Sequence, residues 1–187
     1  GLIRERATLG QKTVIGIPAG STPLTTMREL IRLHREDGLD LSSVVLFLLD
    51  EYYGLPSDSP QSHKLWLQRQ LLDHVNIPSD QIYTLDGQLP LNDVDLHCRR
   101  YDEAIQQAGG FDLVLLGIGM NGHIGYNEPF SVKKSKTRLC TLDPITRRGV
   151  ASDFFGEENV PTQALTVGLS GILNARRILL LAIGEHK

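Results

Sequence analysis

Asn121, His123 and Glu128 lie within eight residues of one another, in the stretch "LVLLGIGMNGHIGYNEPF" that runs from Leu113 to Phe130. Together they can move protons. An imidazole titrates near neutral pH and can both take and give a proton. The Glu128 carboxylate, five residues further on, can orient or charge-stabilise the ring. The Asn121 amide can hydrogen-bond a substrate oxygen. Glycines at 117, 119, 122 and 125 let the backbone bend tightly around a ligand. The plainer alternative is a glycine-rich turn with a capping Asn and a solvated His. The clustering of donor, base and acid favours chemistry over that alternative.

Three other fragments carry groups of the same kind. "DEYYGLP" places Asp50 and Glu51 directly after four apolar residues. A carboxylate partly shielded at a strand end can have a raised pKa and act as a base. The same acids can equally cap a helix or a turn. "AGSTP" offers Gly20, Ser21 and Thr22, whose backbone amides, hydroxyls and following helix start suit a phosphate. The same residues also make an ordinary capped turn. Lys187, in "GEHK", can supply a point charge for phosphate, although on spacing alone it reads as an exposed lysine. A phosphate cradle, a carboxylate base and a His–Glu relay are what a cofactor-free enzyme acting on a sugar phosphate needs. One proton must leave a carbon beside a carbonyl, and another must move as the sugar ring opens.

These groups need elements to position them. Apolar runs at 13–18, 43–50, 111–119 and 176–184 read as strands, with weaker ones at 81–85, 137–142 and 164–168. Amphipathic stretches at 22–37, 63–75 and 93–110 read as helices, the first with Pro23 near its first turn and the last closed by Gly109 or Gly110. Strands apolar throughout and separated by helices imply an α/β domain, with a mostly parallel sheet covered by helices on both faces. Sites in such sheets lie beyond the carboxyl ends of the strands, where all four fragments fall.

The 187 residues suit a single domain, 1–187, that looks cut at both ends. "GLIRERATLG" begins inside a helix, and the chain stops just after a strand. A net charge of −3 excludes a general nucleic-acid binder. No apolar run reaches membrane-spanning length, and no signal-peptide pattern is seen. Cys98 and Cys140 stand far apart, as in a reduced cytoplasmic protein. The six histidines form no HxxxH or HxH pair, so no metal is expected. "GIGMNG" is a poor dinucleotide fingerprint, because no strand-plus-acid arrangement follows at the usual distance.

The segments "GIPAGSTP", "LLDEYYGLP", "LLDHVNIP", "GIGMNGHIGYNEP", "TRLCTLD", "ALTVGL" and "LLLAIGEHK" occur in the order found in the glucosamine-6-phosphate deaminase (isomerase) family. The chain resembles that family over nearly its whole length. The resemblance implies a Rossmann-like three-layer sandwich and conversion of glucosamine 6-phosphate to fructose 6-phosphate and ammonia, without metal or cofactor. It makes Asp50 the base that moves a proton between C2 and C1, and His123 the group that opens the ring. Glu128 would orient and charge-tune His123, and Asn121 stands where the family has Asp or Asn assisting that step. Gly20, Ser21 and Thr22 would cradle the phosphate and Lys187 would neutralise it. A homo-oligomer that binds a small sugar phosphate, with no nucleic-acid or membrane partner, is expected.

One departure stands out. The family commonly places an Arg just before the aromatic pair, where this chain has Asp153 before Phe154 and Phe155. Arg147 or Arg148 would have to substitute, or the substrate or role has shifted. Two other readings follow from the fold. A 6-phosphogluconolactonase-like hydrolase would keep the cradle and the "GH" pair without needing Asp50 or Glu128 in this form. A non-catalytic sugar-phosphate sensor would keep the cradle alone.

Overall fold

The computed structural model describes residues 1–56 and 58–183. Helix α1 (Leu2–Thr8) precedes strand β1 (Thr13–Ile17), helix α2 (Leu24–Glu36) and strand β2 (Val44–Leu48). Strand β3 (Asp50–Tyr52) follows at once, then α3 (His63–Gln70), β4 (Ile82–Tyr83), α4 (Leu91–Gln107) and β5 (Leu113–Gly117). The chain continues through β6 (Arg138–Thr141), α5 (Pro144–Gly149), β7 (Gln163–Thr166), α6 (Leu169–Leu173) and β8 (Ile178–Leu181).

The main sheet has the order β4-β2-β1-β5-β8, and every pairing in it is parallel. Strands β1 and β2 are buried along their whole length, which is why they carry apolar residues on both faces. The two-residue pleat then sorts side chains between two layers. Val14, Val45, Phe47, Val114 and Leu116 pack with Val94, Tyr101 and Ile105 of α4 and with Ile172 of α6. Their neighbours Ile15, Ile17, Leu46, Leu48 and Leu115 face Met27 of α2 and Leu67 of α3. The expected three-layer sandwich is present.

Two elements differ from expectation. The helix expected over 63–75 ends at Gln70, and Leu72–His74 forms a 3-10 turn. At the break, Leu71 takes φ −139° and ψ −58° and is buried with Leu41 and Leu67, while Val75 and Ile77 pack against the same cluster. The broken path puts Leu71, Val75 and Ile77 into that one apolar cluster, which favours it. The second difference concerns the strands near 137–142 and 164–168. They do not extend the parallel sheet but form a separate antiparallel one, in the order β3-β7-β6. Leu49 is the junction between the two sheets. Its N–H donates to the Ile17 carbonyl at 3.0 Å, and its own carbonyl accepts from Val167 N–H at 2.8 Å.

Asp112, just before β5, is a buried carboxylate that knits distant segments together. Its Oδ2 accepts from Val14 N–H at 2.9 Å. Its Oδ1 lies 3.1 Å from both Arg6 of α1 and Arg176, which leads into β8. Asp112→Ala should lower unfolding stability by about 2–3 kcal/mol, the scale of a hydrogen bond to a charged group plus an unpaired buried N–H. A urea titration measures this, and an unchanged midpoint would show that the cluster contributes nothing to stability.

Candidate active site

The loop after β5 is shaped by its own backbone. Gly119 N–H donates to the His123 carbonyl at 2.9 Å, and Gly122 N–H donates to Gly119. Asn127 Nδ2 donates to the Ile124 carbonyl at 3.0 Å and to the Val167 carbonyl at 2.9 Å, fastening the loop to the end of β7. A Cβ on Gly119 would overlap the His123 ring, so the imidazole packs where only a glycine leaves room.

Within this loop, His123 Nδ1 lies 2.7 Å from Asn121 Oδ1. Asn121 Nδ2 donates to Glu128 Oε2 at 2.8 Å. Because that amide nitrogen faces the carboxylate, Oδ1 is the acceptor and His123 Nδ1 carries the proton. A neutral ring in this tautomer has its basic lone pair on Nε2. Glu128 Oε2 is 3.5 Å from His123 Nδ1, and Thr146 Oγ1 is 3.1 Å from it. His123 and Glu128 therefore lie beside each other, with Asn121 bridging the two side chains. The second Glu128 oxygen accepts from Asp143 N–H at 3.0 Å, which fixes the carboxylate plane.

The two adjacent acids of β3 serve different ends. Glu51 is the helix cap that sequence reasoning offered as an alternative for both. Its carboxylate accepts from His63 N–H at 3.0 Å, Lys64 N–H at 2.9 Å and Ser62 Oγ at 2.9 Å, at the start of α3. That is where an anion best satisfies the unpaired amides of a helix. Asp50 points elsewhere. Its Oδ1 is 2.7 Å from His63 Nδ1, with side chains 6% and 14% exposed respectively. Its Oδ2 would lie 3.4 Å from a Cβ on Gly125, two residues from His123. Tyr126 completes the connection, with its ring 6.1 Å from that of His123 and stacked 5.9 Å from that of His63.

His63 was not singled out in the sequence. Its only signal there is its place directly after Ser62, the N-cap of α3, whose Oγ accepts from Leu65 N–H. Burial alone would lower the His63 pKa. The hydrogen bond His63 donates to Asp50 and the charges of Asp50 and Glu51 outweigh that effect and raise it above the ordinary histidine value.

The cradle residues follow β1. Gly20 takes φ +98°, a conformation that glycine enters at little cost. Helix α2 uses Pro23 as its N-cap with no side-chain cap, so the hydroxyls of Ser21 and Thr22 are not consumed in capping it. Thr22 lies against Gly117 at the end of β5, 3.6 Å from where its Cβ would stand, so the cradle abuts the His123 loop. Lys187 lies outside the described residues. Arg147 donates to the carbonyls of Glu157 and Val160 and so holds that turn together. Arg148 and Asp153 are exposed. Burial pushes the Cys98 thiol up to about 11 and the Cys140 thiol up to about 12, which leaves neither as a ready nucleophile.

Comparison with known proteins places these residues in context. Residues 2–187 match the family described as glucosamine-6-phosphate isomerases/6-phosphogluconolactonase. The glucosamine-6-phosphate deaminase of Bacillus pumilus is 44% identical over 174 residues, covering 93% of this chain and 71% of the relative. That of Corynebacterium kroppenstedtii is 45% identical over 179 residues, covering 96% of this chain and 69% of the relative. A solved structure described as a monomeric glucosamine-6-phosphate deaminase superposes with a TM-score of 0.89 at 38% identity, covering 95% of this chain and 71% of that one. The 6-phosphogluconolactonase of Trypanosoma brucei gives 0.73 at 22% identity, over all of this chain and 75% of its own, and shares the fold.

The Asp50–His63 pair has a measurable signature. The His63 imidazole should titrate above the usual histidine range by NMR, and Asp50→Asn should bring its midpoint down. Since the folded pKa exceeds the unfolded one, the pair's contribution to stability is complete below about pH 6.5 and is lost as pH rises through the folded midpoint. That loss of stability on raising the pH should shrink in Asp50→Asn, where burial opposes the remaining pull of Glu51. A His63 midpoint unchanged by the substitution would contradict the pairing.

Proposed function

The chain belongs to the glucosamine-6-phosphate isomerase/6-phosphogluconolactonase family, and we propose that it converts glucosamine 6-phosphate to fructose 6-phosphate and ammonia. The observation that carries this reading is the convergence of two proton-handling groups on Tyr126. One is buried Asp50, and the other is the Asn121–His123–Glu128 chain. A lactone hydrolase has no use for a base that moves a proton between carbons, whereas an aldose–ketose isomerase does.

In this scheme His123 moves the proton that lets the ring oxygen leave C1, opening the sugar to its aldehyde. Asp50 then takes the proton from C2 and the C2–H electrons form a C1–C2 enol bearing the amine. Asp50 returns the proton to C1, which leaves C2 as an imine. Water adds to C2, ammonia leaves, and the ketose phosphate remains. Donors aimed at the developing enolate oxygen contribute ~3 kcal/mol each in sites of this class. Glu128, through Asn121, favours the cationic form of His123 as it gains its proton. Gly20, Ser21 and Thr22 hold the phosphate, and Lys187 is assigned to neutralise it. Asp153 is tolerated in this reading because the cradle at the end of β1 provides the phosphate donors.

A cytoplasmic location fits two unpaired cysteines with raised thiols. Among the described residues no helix is long and apolar enough to cross a membrane. A homo-oligomer is expected, and light scattering decides that against a single-chain mass such as the monomeric relative would give.

The full-length protein should release ammonia from glucosamine 6-phosphate. Asp50→Asn and His123→Gln should each cut turnover on the order of 10²- to 10⁴-fold, the range for removing a general acid or base. Sugar-phosphate binding should persist in both. Binding by the parent without ammonia release would replace the enzyme reading with a sensor.

A further inference from the structure

The mechanism above uses Asp50 as a free-standing base, yet the structure gives that carboxylate a dedicated partner. His63 Nδ1 is 2.7 Å from Asp50 Oδ1 and 3.1 Å from the Asp50 carbonyl oxygen. A carbonyl oxygen can only accept, and an ionised carboxylate likewise, so Nδ1 must be the donor. The contact is therefore a directed N–H···O bond, charge-assisted when the imidazole is protonated. It occupies Oδ1 and leaves Oδ2 turned toward Gly125 and the His123 loop.

His63 is itself held by its backbone and by two rings. It is the first residue of α3, and its own N–H is bound by Glu51 Oε1 at 3.0 Å. Its ring meets the Tyr52 ring edge-on at 4.8 Å and stacks 5.9 Å from that of Tyr126. A hydrogen bond to a ring so confined fixes both the position and the rotation of the Asp50 carboxylate.

We propose that His63 is the positioning residue of the catalytic base: it clamps Asp50 Oδ1 so that Oδ2 alone faces the substrate. This rests on the deaminase reading and assigns a role to a residue that reading does not use. Glu51 and Tyr52 of β3 and Tyr126 of the β5 loop surround His63, and burial drives both phenols toward their neutral forms. Among these neighbours the imidazole N–H is the donor that Asp50 Oδ1 meets.

The test uses the full-length protein with two substitutions. His63→Phe keeps an aromatic ring between Tyr52 and Tyr126 but removes the donor. It should lower kcat by roughly 10- to 100-fold, the scale of a misplaced reacting group, with KM for glucosamine 6-phosphate changed less than about threefold. His63→Gln, which can still donate a neutral N–H, should recover much of kcat. An unchanged kcat in His63→Phe would overturn the inference and leave the deaminase reading intact. Lower stability in both variants with the parent's kcat per folded molecule would also overturn it, reducing His63 to packing. No ammonia from the parent would overturn the deaminase reading, and the positioning role with it.

Discussion

The register of one short antiparallel pairing holds the site together. β3 lies against β7 with Asp50 opposite Thr166, and Thr166 Oγ1 accepts from Tyr126 N–H at 3.0 Å. The same threonine would stand 3.1 Å from a Cβ on Gly125. One side chain therefore ties the strand that carries Asp50 to the loop that carries the imidazole. The parallel sheet delivers the chain ends to a common edge, but it does not fix the distance between groups arriving from different strands. The small second sheet does, and Asn127, bonded to Val167, repeats the tie one step along.

Asp50 and Glu51 show how a strand separates function from support. Successive side chains of a strand point to opposite faces, so neighbouring acids with the same chemistry enter different surroundings. Glu51 meets the amide-rich start of α3 and is satisfied by three donors there. Asp50 meets one imidazole and an open side toward the loop. Both side chains bind the same turn of helix, one through its backbone and the other through its first ring. Asp50 is thereby referenced to α3 as well as to the sheet.

Much of this was legible in the sequence. The buried parallel strands announced themselves as uninterrupted apolar runs, and the polar residues after β1, β2 and β5 followed from where such sheets place their sites. The grouping of Asn121, His123 and Glu128 was visible because it is local in the chain. The choice between base and cap at Asp50 and Glu51 was not, since it depends on which face of a three-residue strand meets α3. His63 was invisible for a related reason. Nothing in "SHKLWLQRQ" distinguishes a helix-start histidine aimed at a carboxylate thirteen positions earlier from a solvated one. The separate antiparallel sheet was missed because β6 and β7 are short, and alternation within four residues does not reveal a partner. Asn121 was read as a donor to a substrate oxygen and, from the resemblance, as assisting the His123 step; in the structure it bridges His123 and Glu128.

The pairing of Asp50 with Thr166 also sets an order in time. Strand β3 emerges early in synthesis, yet its partner β7 follows only after β4, α4, β5 and β6 have been made. Contacts so distant along the chain close slowly, because the intervening segment must be ordered first. The parallel core can gather around β1 and β2 while Asp50 and the Tyr126 loop still lack the threonine that joins them. Residue 166 must therefore be in the chain before Asp50 and the Tyr126 loop can be held in register, while α6 and β8 of the main core are made later still.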